Sequence, residues 1–281
     1  MRRRFFFEGL LLIDLHCHML PGIDDGAQDI ETSIAMARAA VADGITVTAC
    51  TPHIMATVYD NNREIITHGI AALEERLRDE NIALRLIIGA DVHMALDLVD
   101  GLQGGRIPSL NNGRYFLFEP PHHVPPPRIE DNVFSIMAAG YVPILTHPER
   151  LSWIESHYAV MEKIADMGVV MQITAGSLTG RFGRRVRYWA EKMLDEGLVH
   201  IIATDAHNLS GRPPLLSEAR ELIAQRLGEE EAELMVMGRP LAIIENRGIQ
   251  PALKKSMPVT ERRKEPSSRG VFSLFRFGGR R

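Results

Sequence analysis

The 281-residue chain is long enough for one α/β barrel or two smaller domains, and its hydrophobic (45%) and charged (24%) fractions are those of a soluble globular protein. A net charge of −4 offers no electrostatic footprint for nucleic acid. Two cysteines, Cys17 and Cys50, are too few for a disulfide scaffold and fit a cytoplasmic enzyme, and no apolar run approaches the ~20 residues of a membrane helix.

The chain opens on Arg2-Arg3-Arg4-Phe5-Phe6-Phe7, basic and then apolar. Glu8 breaks the run and no cleavage site follows, so residues 1–10 read as a short leader rather than a signal peptide. From there, short β-branched or apolar runs alternate with longer amphipathic ones. Strands are predicted over 10–17, 45–50, 83–90, 115–119, 142–146, 169–174 and 199–203. Helices are predicted over 30–42, 62–80, 129–139, 158–167, 184–196 and 215–227. In the first helix Ile30, Ile34, Ala37 and Val41 share one face, Asp29 can cap the start and Gly44 can end it. Strand–helix alternation implies a parallel sheet with helices outside, and seven such units predict a closed or nearly closed barrel, with a doubly wound open sheet as the alternative. In either case ligands bind at the carboxyl ends of the strands.

Those ends carry the chemistry. The first strand runs into Asp14-Leu15-His16-Cys17-His18, where His16 and His18, two apart, face the same way and Cys17 the other. Asp24-Asp25-Gly26 follows. Later strands end in Thr51-Pro52-His53, Gly89-Ala90-Asp91, Phe118-Glu119, Thr146-His147-Pro148-Glu149-Arg150 and Ala203-Thr204-Asp205-Ala206-His207. One H-x-H is more often a pair of partly exposed histidines, but six strand ends in His, Asp or Glu point to a site. Imidazole and carboxylate without thiolate suit Mn, Fe or Zn, and the number of donors exceeds one four-coordinate ion, so two or three ions are expected. Such sites generate hydroxide near neutral pH and neutralise phosphoryl oxygens.

Other segments read less sharply. Residues 120–128 hold five prolines, follow a strand end and are expected to cover part of the site. His122 and His123 within them read as exposed. Residues 175–183 read as a βα loop. His68, His157 and His200 read as structural or exposed. Residues 261–281 carry seven Lys/Arg against two Asp/Glu, a net of +5 that leaves −9 for the remainder. A basic tail over 251–281, outside the barrel of residues 11–250, is expected to be disordered or amphipathic. Phe272, Phe275 and Phe277 in it suggest peripheral contact with anionic lipid or a partner.

The string from Asp14 to Gly26, together with Thr51-Pro52-His53, His147-Pro148-Glu149-Arg150 and Thr204-Asp205-Ala206-His207-Asn208-Leu209, resembles the PHP (polymerase and histidinol phosphatase) superfamily. Within it the chain is similar to the manganese-dependent tyrosine phosphatases of bacterial capsule and exopolysaccharide clusters. The resemblance runs from about Asp14 to about Ile244. It implies a single-domain distorted (β/α)7 TIM-like barrel, the PHP fold, and a three-metal site holding Mn2+. His16, His18, Asp91 and Asp205 would hold one ion. Asp91, Glu119 and His147 would hold a second, and Asp25, His53 and His207 a third. The family usually has Glu where this chain has Asp91, a side chain one methylene shorter. Arg150 and Arg212 lie beside these positions, and guanidinium forks match phosphate oxygens, so both are expected to clamp the phosphate, with Asp205 and His207 completing the catalytic set. The implied substrate is phosphotyrosine on a protein, namely a membrane-anchored bacterial tyrosine kinase. The alternatives are a small-molecule PHP phosphatase, such as one for histidinol phosphate, a PHP nuclease, and a non-catalytic binding module. A cysteinyl-phosphate mechanism is not expected, because Ile23 and Ala56 stand where Arg would have to follow Cys17 and Cys50 by six residues.

Overall fold

A computed structural model describes residues 11–254; the expected leader over 1–10 and residues 255–281 of the expected tail lie outside the described residues. The chain is an α/β protein, and among the described residues the strands named below pair only in parallel. The strands are β1 (Leu12–Cys17), β2 (Ile45–Cys50), β3 (His53–Ile54), β4 (Arg85–Ile88), β5 (Asp91–His93), β6 (Tyr115–Glu119), β7 (Val142–Thr146), β8 (Val170–Thr174) and β9 (Ile201–Ala203). They form one sheet in the order β1-β2-β4 and another in the order β3-β5-β6-β7-β8-β9.

Two of the predicted strands therefore continue past a break. Thr51-Pro52 separates β2 from β3, and Gly89-Ala90 separates β4 from β5, so each strand starts in one sheet and finishes in the other. Backbone bonds carry the path across: the Gly89 N–H donates to the Cys50 carbonyl and the Asp91 N–H to the Pro52 carbonyl, both at 3.1 Å. The first strand also meets the last. The Asp205 N–H donates to the His16 carbonyl and the His18 N–H to the Ala206 carbonyl, both at 2.8 Å.

The helices are α1 (Ile30–Ala42), α2 (Arg63–Asp79), α3 (Leu98–Gln103), α4 (Ile129–Ala138), α5 (Tyr158–Asp166), α6 (Ala175–Leu178), α7 (Gly183–Asp195), α8 (Ser217–Leu227), α9 (Glu229–Glu233) and α10 (Arg239–Ile244). Asp29 caps α1, its carboxylate accepting from the Thr32 N–H at 2.8 Å. Residues 175–183, expected as a loop, instead supply the single turn of α6 and the start of α7. The sequence reading also lacked α3, α9 and α10. Among the described residues no helix is long and apolar enough to cross a membrane.

Two apolar clusters divide the strand residues by alternation. Ile13, Leu15, Ala49, Ile87, Tyr115, Leu117, Ile144, Val170 and Ile201 pack together with Leu110 and with Ile243 and Ile244 of α10. Their neighbours on the opposite face, among them Leu12, Phe116, Phe118, Leu145, Met171 and Ile202, pack in the larger cluster that includes the helices. Continuing the first set by steps of two leads from Ala49 to His53, from Ile87 to Asp91 and His93, from Leu117 to Glu119 and from Ile201 to Asp205. The interior row is thus apolar below and ligand-bearing above.

His200, just before β9, has a structural role. Its Nδ1 accepts from the Met171 N–H at 3.1 Å. Burial and the Arg239 guanidinium lower its pKa to about 4, against a smaller opposing pull from Glu231. The unfolded chain takes up this proton near the ordinary pKa of ~6.5 and the folded one does not. Stability contributed by neutral His200 is therefore full above ~6.5 and falls as pH drops towards 4, by at most about 3 kcal/mol. Urea unfolding of chelated protein at pH 7 and pH 4.5 is expected to show a smaller pH effect in His200→Gln than in the wild type. An equal pH effect would sink the assignment.

Candidate metal centre and phosphate site

All nine residues expected as ligands meet at the carboxyl ends of the strands. His16 Nε2 lies 3.1 Å from His18 Nε2, 3.4 Å from Asp91 Oδ2 and 3.3 Å from Asp205 Oδ1. His53 Nε2 and His207 Nε2 stand 3.4 and 3.3 Å from Asp25 Oδ1. His147 Nε2 stands 3.5 Å from Glu119 Oε1. Among the described residues five sets of side chains hold their donor atoms close enough to share an ion: His18 with Asp25, His53 and His207; His16 with His18 and Asp91; His16 with His147 and Asp205; His53 with His93 and Glu119; and Glu119 with His122 and His147.

Three histidines are held so that the same nitrogen faces the cluster. His16 Nδ1–H donates to Gln172 Oε1 at 2.8 Å, His18 Nδ1–H to Asp24 Oδ2 at 2.7 Å, and His207 Nδ1–H to the Asp205 carbonyl at 3.0 Å. Because these oxygens only accept, the proton is placed on Nδ1 and the lone pair on Nε2. This outer support is how metal-binding imidazoles are oriented. Asp24 also accepts from the backbone N–H groups of Gly26 and His53. A Cβ on Gly26 would collide with the His18 carbonyl oxygen, so only glycine lets the Asp24-Asp25 loop close over His18.

The electrostatics ask for positive charge. Both Asp91 oxygens, His53 Nδ1 and His207 Nε2 are buried without a hydrogen-bond partner, a costly state unless a cation is shared between them. Burial opposes a charge on His16, yet Asp205 and Asp91 push its pKa up to about 9. The His207 imidazole draws Asp25 down to about 2. Burial holds His18 well below the usual imidazole range, with His207 and His53 adding to it. Burial would raise the Glu119 carboxyl, but His122 and His93 hold it well below the usual range. Nitrogen and oxygen donors in this proportion suit Mn, Fe or Zn, so the residues present fit the metal ions the sequence implies.

Both predicted phosphate-binding arginines sit on Asp205. Arg150 Nη1 pairs with Asp205 Oδ2, and Arg212 Nη2 with Asp205 Oδ1 at 2.5 Å. Arg212 Nε–H also donates to the Asp205 carbonyl at 3.2 Å. The Arg150 guanidinium lies over the Phe182 ring, 4.6 Å from its centroid. Burial works against the Asp205 charge, but His16, Arg212 and Arg150 hold its pKa well below the carboxylate range. Asp205 and His147 both adopt positive φ, 51° and 36°, turning the chain sharply at two strand ends where function concentrates.

Several functional residues escaped the sequence reading. Gln172 looks like any strand polar residue until its place opposite His16 is known. Glu149 is buried and accepts from the Thr174 N–H at 2.9 Å and the Ser177 hydroxyl at 2.6 Å, fixing the turn that carries Arg150. His93 pairs across strands with Glu119 and brings Nε2 to 2.5 Å from Oε2. The same two-residue logic that joined His16 to His18 would have joined His93 to Asp91. His122, read as exposed, is half-buried and faces Glu119, because Pro120-Pro121 turns the chain back over the strand end; its neighbour His123 is exposed. Cys17 is buried and outside every donor group.

A family model for capsular polysaccharide synthesis, CpsB/CapC, matches residues 12–245. The tyrosine-protein phosphatase YwqE of Bacillus subtilis (strain 168) is 34% identical over 219 residues, spanning 78% of this chain and 86% of that protein. The tyrosine-protein phosphatase CpsB of Streptococcus pneumoniae is 28% identical over 238 residues, spanning 83% of this chain and 98% of that protein. A crystal structure from work on YwqE and CpsB, described as unique metal-dependent tyrosine phosphatases, superposes with a TM-score of 0.83 at 32% identity. It covers 88% of this chain and 100% of that chain.

Proposed function

The chain belongs to the CpsB/CapC family of capsular polysaccharide synthesis proteins, and from that premise we propose that it hydrolyses phosphotyrosine on proteins at a metal centre. The observation that carries the reading is the junction at Asp205, where a dense set of imidazoles and carboxylates meets two arginines. Metals alone would fit many hydrolases; the paired guanidinium forks fit a phosphoryl dianion.

The ions would be held by His16, His18, Asp25, His53, Asp91, Glu119, His147, Asp205 and His207, as Mn2+ with Fe or Zn as substitutes. Two or three divalent ions held there would acidify water and neutralise phosphoryl oxygens. Arg150 and Arg212 take the remaining phosphoryl oxygens, and Asp205 keeps both guanidiniums at one spacing. Phe182 fixes the plane of the Arg150 fork. Water adds to phosphorus opposite the ester oxygen, the P–O bond breaks, and tyrosine and inorganic phosphate result. A phenol has a pKa of ~10, so the departing oxygen needs little help from a general acid.

The bonds joining β1 to residues 205 and 206 support a distorted (β/α)7 barrel spanning residues 11–250. The family's part in capsule synthesis favours, as substrate, a membrane-anchored bacterial tyrosine kinase met in the cytoplasm, with the basic C-terminal stretch assisting contact at the membrane.

Phosphate release from a phosphotyrosine peptide is expected to require added Mn2+ and to vanish with a chelator. Arg150→Ala should lower kcat/KM by about 10²-fold or more. Histidinol phosphate and single-stranded DNA should be poor substrates by comparison. A folded, metal-loaded protein that releases no phosphate from the peptide refutes the tyrosine-phosphatase reading.

A further inference from the structure

We propose that His122, from the proline-rich segment, is a metal ligand: with Glu119 and His147 it completes a cation position at the end of β6. The inference rests on the metal centre described above but not on its substrate. Its core is the surroundings of one oxygen. Glu119 Oε1 lies 3.3 Å from His122 Nε2 and 3.5 Å from His147 Nε2, and the two imidazole rings are 5.0 Å apart. Ligands held about 2.1 Å from one tetrahedral ion stand about 3.4 Å from one another. The two distances to Glu119 Oε1 match that separation, and all three donor atoms lie within 4.8 Å of one another.

The other carboxylate of this neighbourhood leaves a place open. Asp91 groups with His16 and His18, and among the described residues it forms no group with Glu119 and His147. A site built on Glu119 and His147 therefore needs its third protein donor from elsewhere, and His122 stands there.

The chain around His122 is built to hold it. The Trp153 indole N–H donates to the Pro121 carbonyl at 2.9 Å, and both the Ser152 N–H and the Ser152 hydroxyl donate to the His122 carbonyl at 3.0 Å. Trp153 is itself buried. Pro120 and Pro121 restrict the three-residue step from Glu119 to His122. These contacts tie the segment to the chain that follows the His147-Pro148-Glu149-Arg150 turn, so His122 and His147 are carried by one braced unit. On the far side of Glu119, His93 approaches Oε2, leaving Oε1 as the oxygen that faces His122 and His147. His123, adjacent and exposed, belongs to no donor group among the described residues and is an internal control.

The test uses the full chain as wild type, His122→Ala, His122→Cys, His123→Ala and His123→Cys. Bound manganese is measured by equilibrium titration and elemental analysis. His122→Ala is expected to bind one ion fewer, or to bind its weakest ion at least about tenfold less tightly, while His123→Ala matches the wild type. Loaded with cobalt, His122→Cys is expected to show a thiolate-to-cobalt charge-transfer band that the wild type and His123→Cys lack. Equal stoichiometry and affinity in His122→Ala and wild type, with no such band in His122→Cys, overturns the proposal. So does a wild-type chain that binds none of manganese, iron and zinc. Hydrolysis of phosphotyrosine is recorded separately: a wild type that binds the ions without hydrolysing the peptide removes the substrate assignment and leaves the ligand assignment standing.

Discussion

Replacing Asp205 by Asn is expected to reduce phosphotyrosine hydrolysis by at least about 10³-fold under saturating Mn2+, a larger loss than either arginine substitution. The reason is that one buried carboxylate serves two functions. Its Oδ1 faces His16 and His18, at 3.3 and 3.5 Å, and also receives Arg212, while Oδ2 receives Arg150. An amide of the same shape removes the negative charge from both. Two guanidiniums would then face each other without the charge that holds them, and an ion beside His16 would lose a donor. Manganese titration and steady-state kinetics together check this. Weaker metal binding and a lower kcat are expected at once, whereas loss of Arg150 alone should leave metal affinity close to the wild-type value. If Asp205→Asn keeps more than about a tenth of the wild-type rate, Asp205 is not the shared anchor described here.

Replacing Arg239 by Ala is expected to destabilise the fold by about 3–5 kcal/mol without touching the metal centre directly. Arg239 is 1% exposed, and its guanidinium reaches Glu231 Oε1 at 2.8 Å and Oε2 at 3.0 Å. It also donates to the carbonyls of His200, Gln250 and Pro251, at 3.1, 3.0 and 2.7 Å. It thereby ties α9 and α10 to the residue that precedes β9 and to residues 250–251. Truncation leaves Glu231 charged and buried and three carbonyls without their donor. For a domain of this size the melting temperature should drop by roughly 10 °C. Combining Arg239→Met with Glu231→Leu should recover part of the loss, because it is the unpaired buried charge that costs most. A drop below about 1 kcal/mol in Arg239→Ala would show that the site relaxes and that the pair contributes little.

The periodicity of the chain was enough to find most elements, since burial of one face is a local pattern. The apolar run over residues 115–119 marked β6 correctly, and the three- and four-residue steps of Ile30, Ile34, Ala37 and Val41, with Asp29 before them, marked α1 to the residue. Short elements were invisible for the same reason. Six residues of α3 and five of α9 are too few to display a period, and Gly238 and Pro240 disguise the start of α10 as a loop. The ligand types were legible because strand ends are marked by a change from apolar runs to His, Asp and Glu.

What the sequence by itself determined is therefore the alternating α/β order, the row of donor residues at the strand ends, and the kind of ion those donors suit. Side-chain chemistry and short-range spacing decide these, and both are written along the chain. What only the tertiary structure decided is which donor meets which. In β1, Ile13 and Leu15 pack in the inner cluster and Cys17 in the outer one, so plain alternation would have turned His16 and His18 away from the interior; a register shift between Asp14 and Cys17 turns them back. The approach of His147 to Glu119, of Gln172 to His16, and of Arg150 to Asp205 likewise depends on pairings between segments up to 156 residues apart. Hydrogen bonding and packing set those meetings only once the strands are in register, and for that reason no local stretch of sequence carries them.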